Sequence, residues 1–230
     1  GIDGADGYMG NAIAWLALEA GYEVVAHVPL PQFAAAVPEK LAAKYARAVK
    51  KGAMSADDVA RKVGGVTVAT EIAALAGCDL VVEAIVEKLD VKQALFAELE
   101  GIVQPTAVLA TNTSSLSVTA IAAKLKRPAR FAGFHCFNPV PLMKVVEVIA
   151  GLRTSKTVCA NLAAYARQMG HTPVLAQDTP GFIVNHAGRG YGTEALRIVG
   201  ENIADFATID RILKDQVGFK LGPFELMDLT

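Results

Sequence analysis

Between residues 11 and 177, short apolar runs alternate with longer stretches of helical spacing, and few architectures accept that pattern. Asn11 to Ala20 is apolar at helical intervals, and Gly21 stops it. Glu23 to Val28 reads as a short buried strand, and Ala34 to Lys51 as a helix with Lys40, Lys44, Arg47 and Lys51 on neighbouring turns. Ser55 opens another helix as its N-cap, with Asp57 and Asp58 in the first turn. Asp79-Leu80-Val81-Val82-Glu83-Ala84 has the composition of a central parallel strand. Val91 to Glu100 reads as a helix, Ala107 to Ala110 as a strand, and Val118 to Leu125 as a helix. Strand and helix repeated in this way predict a doubly wound parallel α/β sheet. After about Asp178 only helical patterns remain: Val184 to Ile198, Asp210 to Val217, and a start at Pro223. The expected division is therefore residues 1–177 for the sheet and 178–230 for the beginning of an all-α domain.

Charge and cysteine usage restrict the function. Among 230 residues, 53% are hydrophobic and the formal net charge is -1, so a large core is expected and an electrostatic footprint for nucleic acid or membrane is not. Cys78, Cys136 and Cys159 are scattered and odd in number, which argues against a disulfide framework or a zinc site. A soluble protein of the reducing cytoplasm is the expectation. Only Gly1-Ile2-Asp3 precede a glycine-rich loop, and the helix starting at Pro223 reaches the last residue within about two turns. The chain is thus expected to be a piece of a longer protein.

Four segments carry chemistry. Gly4-Ala5-Asp6-Gly7-Tyr8-Met9-Gly10 approximates the G-x-G-x-x-G loop, which lets backbone approach a pyrophosphate at a helix N-terminus. Gly7 and Gly10 keep the spacing, whereas Gly4 comes one residue early and Asp6 reads as inserted; an ordinary glycine turn stays open. Ala110-Thr111-Asn112-Thr113-Ser114-Ser115 follows an apolar run and precedes a helix, the sheet edge where open α/β folds bind ligands. Ser115 and Ser117 read better as helix caps than as site residues, Asn112 and Ser114 the reverse. Phe134-His135-Cys136-Phe137-Asn138-Pro139-Val140-Pro141 runs into Val145-Val146-Glu147-Val148-Ile149. A carboxylate alone in an apolar strand needs a partner, because an unpaired buried charge costs several kcal/mol. The His135 imidazole, whose tautomer a carboxylate would fix, is the natural one. A satisfied core histidine and an edge-strand glutamate facing water remain the alternatives for each residue alone. Asp178-Thr179-Pro180-Gly181-Phe182-Ile183-Val184-Asn185 opens the helical part, and Asn185 is expected to face a cleft there.

The last three of these segments, Ala110 to Ser115, His135 to Glu147 and Asp178 to Asn185, with Gly222 to Leu229, resemble the 3-hydroxyacyl-CoA dehydrogenase family, and the similarity runs from about Asp79 to the end and more loosely before it. The combination of H-x-F-N-P-V and D-T-P-G-F-I-V-N carries the resemblance, and Asn185-His186-Ala187-Gly188-Arg189-Gly190-Tyr191 is similar to the longer bacterial members. The resemblance implies a Rossmann-type domain that uses NAD, an acyl-CoA substrate, and a homodimer of the full-length protein. By position it makes His135 the base, Glu147 its orienting carboxylate, and Ser114 and Asn185 the ligands of the reacting oxygen. It places Gly4, Gly7, Tyr8, Met9, Gly10, Glu87, Lys92 and Asn112 along the cofactor, Asn138 near the histidine, and Lys51 near CoA.

Three positions depart from the family. Its members end the second strand with an acid that holds the adenosine ribose, and Val28 stands there instead. No arginine lies nearby, so a 2′-phosphate preference is not indicated. Asp3 interrupts the first strand, and Asp6 sets a negative charge in a loop meant for pyrophosphate. Each unmade or repelling contact is expected to weaken NAD binding by about 1–3 kcal/mol. A non-catalytic acyl-CoA-binding or structural protein on the same scaffold therefore stays open beside the enzyme. A hydroxyacid dehydrogenase with a lysine base does not, since the region around Asn185 offers no lysine.

Overall fold

The computed structural model describes residues 1–229. β1 (Ile2–Asp3) leads into α1 (Tyr8–Glu19) and β2 (Val24–His27). Three short helices, α2 (Pro31–Ala34), α3 (Val37–Ala43) and α4 (Ala46–Lys50), precede α5 (Ala56–Gly64) and β3 (Val66–Ala69). Then come β4 (Leu80–Glu83), α6 (Leu89–Ile102), β5 (Val108–Thr111), α7 (Val118–Ala122) and β6 (Phe131–Cys136). The sheet is completed by β7 (Val145–Ala150), α8 (Lys156–Gln168) and β8 (Thr172–Gln177). Helices α9 (Val184–Gly200), α10 (Phe206–Asp215) and α11 (Pro223–Leu229) follow.

The chain forms two compact units that divide between Pro180 and Gly181. In the first, eight strands make one sheet in the order β3-β2-β1-β4-β5-β6-β7-β8. All neighbours are parallel except β6 and β7, which pair antiparallel. The reversal is local in origin: residues 137–144 form a loop without a crossover helix, and only an antiparallel partner can be reached that way. The doubly wound parallel α/β sheet expected from the sequence is present with this one exception. Three elements that the alternation did not predict are also there: β3, α8 and β8. Both β3 and β8 are edge strands with few buried residues, and β8 holds Pro173, so neither has the apolar run of an interior strand. The helix expected from Ala34 to Lys51 is two shorter ones, α3 and α4, after α2 ends at Ala34, and Pro38 lies in the first turn of α3, where its missing N–H costs nothing.

Alternation along each strand divides the core between two faces. Ala132, Phe134, Cys136, Val146 and Val148 pack in one apolar cluster with residues of α1, α3 and α8. His135, Glu147 and Ile149 therefore point to the other face, where Val118 of α7 and Ile149 close over Gly133. A Cβ on Gly133 would stand 2.8 Å from Ile149, so the strand carrying His135 sits this deep only because that position is glycine.

Asp3 does not interrupt β1. It lies in register with His27 of β2, both buried, with Oδ1 2.5 Å from the imidazole Nδ1. The sequence gives each residue as an isolated polar intrusion; the parallel pairing makes them partners. The hydrogen bond that His27 donates to Asp3 outweighs burial and holds His27 above the ordinary histidine value.

The second unit is tied together at Asp210, whose carboxylate accepts the Phe224 and Glu225 backbone N–H groups at 2.9 and 3.1 Å. It thereby caps α11, and Phe206 and Phe224 pack edge to face with ring centroids 4.7 Å apart.

Because the folded-state His27 value is raised, the stabilisation from its pair with Asp3 is complete below the unfolded histidine value and is lost as pH rises through the folded one. Thermal unfolding from about pH 6 to about pH 9 should show Tm falling, with that component missing in His27→Gln. Identical slopes for the two proteins would mean that the pair does not titrate in this way.

Candidate active site

The carboxyl ends of β1, β4, β5 and β6 bring most of the expected residues to one edge of the sheet. His135 and Glu147 are directly opposed in the β6–β7 register. The imidazole Nδ1 lies 2.8 Å from Glu147 Oε2, and Glu147 is fully buried. β7 is an interior strand between β6 and β8, so Glu147 is not an edge residue facing water. Pairing with a carboxylate assigns the proton of that bond to Nδ1, so that in the neutral ring Nε2 is the acceptor nitrogen. Phe137 packs on the ring with centroids 4.4 Å apart, adding a further constraint on its orientation. Burial pushes the neighbouring Cys136 thiol up to about 12, so it is not a thiolate nucleophile at neutral pH.

At the end of β4, Glu83 forms a junction that the sequence reading did not single out. It is fully buried and accepts hydrogen bonds from the Lys92 ammonium, from the Thr111 hydroxyl at 2.7 Å, and from the Ile85 backbone N–H at 2.7 Å. Lys92 is 1% exposed, and its ammonium also lies 3.3 Å from Glu87. Glu87 in turn accepts from the Thr113 hydroxyl, the Ser114 N–H at 3.1 Å and the Ser115 hydroxyl at 3.1 Å. Burial raises the Glu87 value, but the bonds from Thr113 and Lys92 outweigh it and hold the carboxyl below its ordinary range. The loop that carries Ser114 is thus moulded around a carboxylate. Ser115 bonds this carboxylate rather than capping a helix, whereas Ser117 does cap α7. Asn112 accepts the Cys136 N–H at 2.9 Å, which ties the end of β5 to the strand of His135.

Asp178 accepts from the Ser117 hydroxyl and from the Val118 and Thr119 N–H groups at 2.7, 2.9 and 2.7 Å. It caps α7 rather than the first helix after the sheet, a pairing across about 60 residues that no local pattern signals. Burial raises its value, and these bonds, with Thr119 foremost, bring it below the usual carboxylate range.

The glycine loop has the shape of a pyrophosphate cradle. Gly4 adopts φ +81°, a left-handed conformation, and a Cβ on Gly10 would stand 2.1 Å from the Gly4 carbonyl oxygen. Gly7 is the N-cap of α1 and contributes no side chain, so the first-turn N–H groups of Tyr8 and Met9 have no side-chain cap. These residues fit a dinucleotide pyrophosphate. The ribose end is different: Val28 is buried and follows β2 where an acid would be needed. Asp6 is half-buried, and its carbonyl accepts from Lys40 Nζ at 2.7 Å. Lys51 is exposed at the end of α4, Asn138 is exposed after β6, and Asn185 lies in the first turn of α9 in the second unit. Among the described residues no cluster of ligating side chains could hold a metal ion.

Residues 1–179 match the model of the 3-hydroxyacyl-CoA dehydrogenase NAD-binding domain, and residues 181–230 that of the C-terminal domain of the same enzymes. The chain belongs to the 3-hydroxyacyl-CoA dehydrogenase family. Relatives in this family include the 3-hydroxyadipyl-CoA dehydrogenase of Escherichia coli K12, 42% identical over 97% of this chain and 47% of that protein. A probable 3-hydroxybutyryl-CoA dehydrogenase of Deinococcus radiodurans is 38% identical over 99% of this chain and 81% of its own length. The crystal structure of 3-hydroxybutyryl-CoA dehydrogenase from Escherichia coli K12 superposes with a TM-score of 0.94 at 41% identity, covering 99% of this chain and 48% of that one. The chain thus spans about half the length of its Escherichia coli relatives. Its first unit is the NAD-binding domain of this dehydrogenase family.

Lys92 is the cation that compensates Glu83, so Lys92→Met should lower stability by about 3–5 kcal/mol, the cost of stranding a buried charge. Urea unfolding measures this, and a loss below about 1 kcal/mol would show Glu83 to be satisfied by Thr111 and Ile85 alone.

Proposed function

We propose that this chain is the catalytic part of an NAD-dependent oxidoreductase that interconverts L-3-hydroxyacyl-CoA and 3-oxoacyl-CoA. The observation that carries the reading is the His135–Glu147 pair, a 2.8 Å bond in the sheet interior at the edge where the glycine loop also lies. With Nδ1 committed to Glu147, proton transfer runs through Nε2: His135 takes the proton of the 3-hydroxyl group, and Glu147 steadies the imidazolium that results. Bound NAD would supply the hydride acceptor. Ser114 and Asn185 bind the reacting oxygen; the ordered backbone around Ser114, bonded to Glu87, supports its part. Lys92, Glu87, Asn112 and Asn138 line the cofactor side of the site, and Lys51 is directed to CoA. Short- to medium-chain acyl groups are the proposed substrates, in keeping with the adipyl and butyryl substrates in the names of the relatives. The reading divides the chain into a nucleotide-binding part, residues 1–177, and a helical substrate and dimerisation part, residues 178–230. Exposed apolar side chains of the latter, among them Phe206, Leu196 and Leu229, support a homodimer of the full-length protein.

A non-catalytic acyl-CoA-binding role is favoured by one observation, Val28 at the ribose position, and a direct assay separates the two. Oxidation of NADH with acetoacetyl-CoA should be measurable in the spectrophotometer. His135→Gln should lower kcat by roughly 10²–10⁴ with NADH affinity little changed, and Glu147→Gln should lower it by at least about tenfold. Near-normal turnover in a folded His135→Gln protein would remove His135 from the chemistry. Absence of turnover in the parent chain, with acyl-CoA still bound, would favour the non-catalytic role.

A further inference from the structure

A cavity on the outer side of the glycine loop is built from side chains that the reaction above leaves unused. It lies between the N-terminus of α1 and helix α3, and Asp6, Gly7, Tyr8, Asn11, Lys40 and Lys44 line it. Lys40 Nζ bonds the Asp6 carbonyl at 2.7 Å, and the Lys44 ammonium stands 5.7 Å from the centroid of the exposed Tyr8 ring. Neither lysine has a carboxylate within ion-pair distance among the described residues. Asn11 is 3% exposed, and its Nδ2 is one of three buried side-chain nitrogens among the described residues that find no hydrogen-bond partner. A buried amide donor without an acceptor costs about 1–3 kcal/mol, and such a group calls for an explanation. The uncapped first turn of α1 adds backbone N–H groups beside it.

We propose that this cavity is a subsite for a phosphomonoester on an adenosine ribose, held by Lys40 and Lys44 with Asn11 behind them. Two ammonium groups face one carboxylate, Asp6, so the net charge favours an anion. A phosphate also places an acceptor beside the Asn11 amide. Burial lowers the Lys44 value, a cost that a bound anion relieves. Val28 bears on the same point: the ribose acid that repels a 2′-phosphate is absent, and its place is taken by an apolar side chain. No arginine directly follows β2 in sequence, but the fold brings Lys40 of α3 and Lys44 at its C-terminal end back to the glycine loop. The same chemistry is offered by the 2′-phosphate of a phosphorylated adenine dinucleotide and by the 3′-phosphate of CoA. The inference rests on the glycine loop being a nucleotide site, and it does not depend on turnover.

Calorimetric titration with 2′,5′-ADP, 3′,5′-ADP and 5′-AMP tests it without catalysis. At least one bisphosphate should bind about tenfold or more tighter than 5′-AMP, and the preference should weaken with added salt. Lys40→Ala and Lys44→Ala should each reduce the preference, and Lys40→Arg should retain it. Which bisphosphate is preferred identifies the source of the phosphate. Equal binding of all three nucleotides, or a preference that survives both alanine substitutions, would overturn the subsite alone. Failure of 5′-AMP and both bisphosphates to bind would overturn it together with the nucleotide reading of the loop.

Discussion

Glu83 sits where the sheet can least tolerate a charge, and much of the site follows from the way that charge is met. The Lys92 ammonium reaches it from α6, the Thr111 hydroxyl from β5 and the Ile85 N–H from the loop between. Three elements are therefore held at one carboxylate, in surroundings of low polarity where each bond is stronger and each omission more costly than in water. Lys92 then extends to Glu87, and Glu87 organises Thr113, Ser114 and Ser115. The loop at the carboxyl edge inherits its shape from a buried ion pair rather than from its own turn preferences.

His135 and Glu147 solve the same difficulty on the neighbouring strands. Antiparallel pairing of β6 with β7 sets the two side chains opposite each other on one face, while their neighbours Phe134, Cys136, Val146 and Val148 fill the core on the other. A shift of one residue in that register would bury the imidazole among apolar side chains and strand the carboxylate. Gly133 protects the register from the α7 side, and Asp178 holds α7 itself by accepting its first N–H groups. The geometry of the proposed catalytic pair and the packing of the sheet are thus the same set of contacts.

The nucleotide side is built differently. Its cradle relies on close backbone approach between Gly4 and Gly10 and on an uncapped helix, with no charged side chain in the first turn. The polar residues near it, Asp3 and His27, are consumed by each other beneath the loop. The lysines proposed to meet a ligand from the side come from α3 and its C-terminal end, an element whose relation to the loop depends on how the chain packs between β2 and β3.

Much was legible in the order of residues. Alternating runs fixed the α/β layering, because buried parallel strands need unbroken apolar stretches and their crossovers need amphipathic helices. Glu147 announced a partner, because a lone carboxylate in Val145-Val146-Glu147-Val148-Ile149 has to find one, and His135 was near enough in sequence to be named. The wording around His135 and before Asn185 carried the family. Long-range partnerships were not legible. Asp3 and His27 look like two intrusions until parallel pairing makes them neighbours, Asp178 looks like the start of one helix until it is found capping another, and Glu83 looks like the end of a strand until Lys92 folds onto it. Local sequence determines which residues must be compensated, since the cost of burying a polar group is intrinsic to that group. Only the tertiary structure decides which distant residue provides the compensation, since that depends on register and helix docking that no short segment encodes.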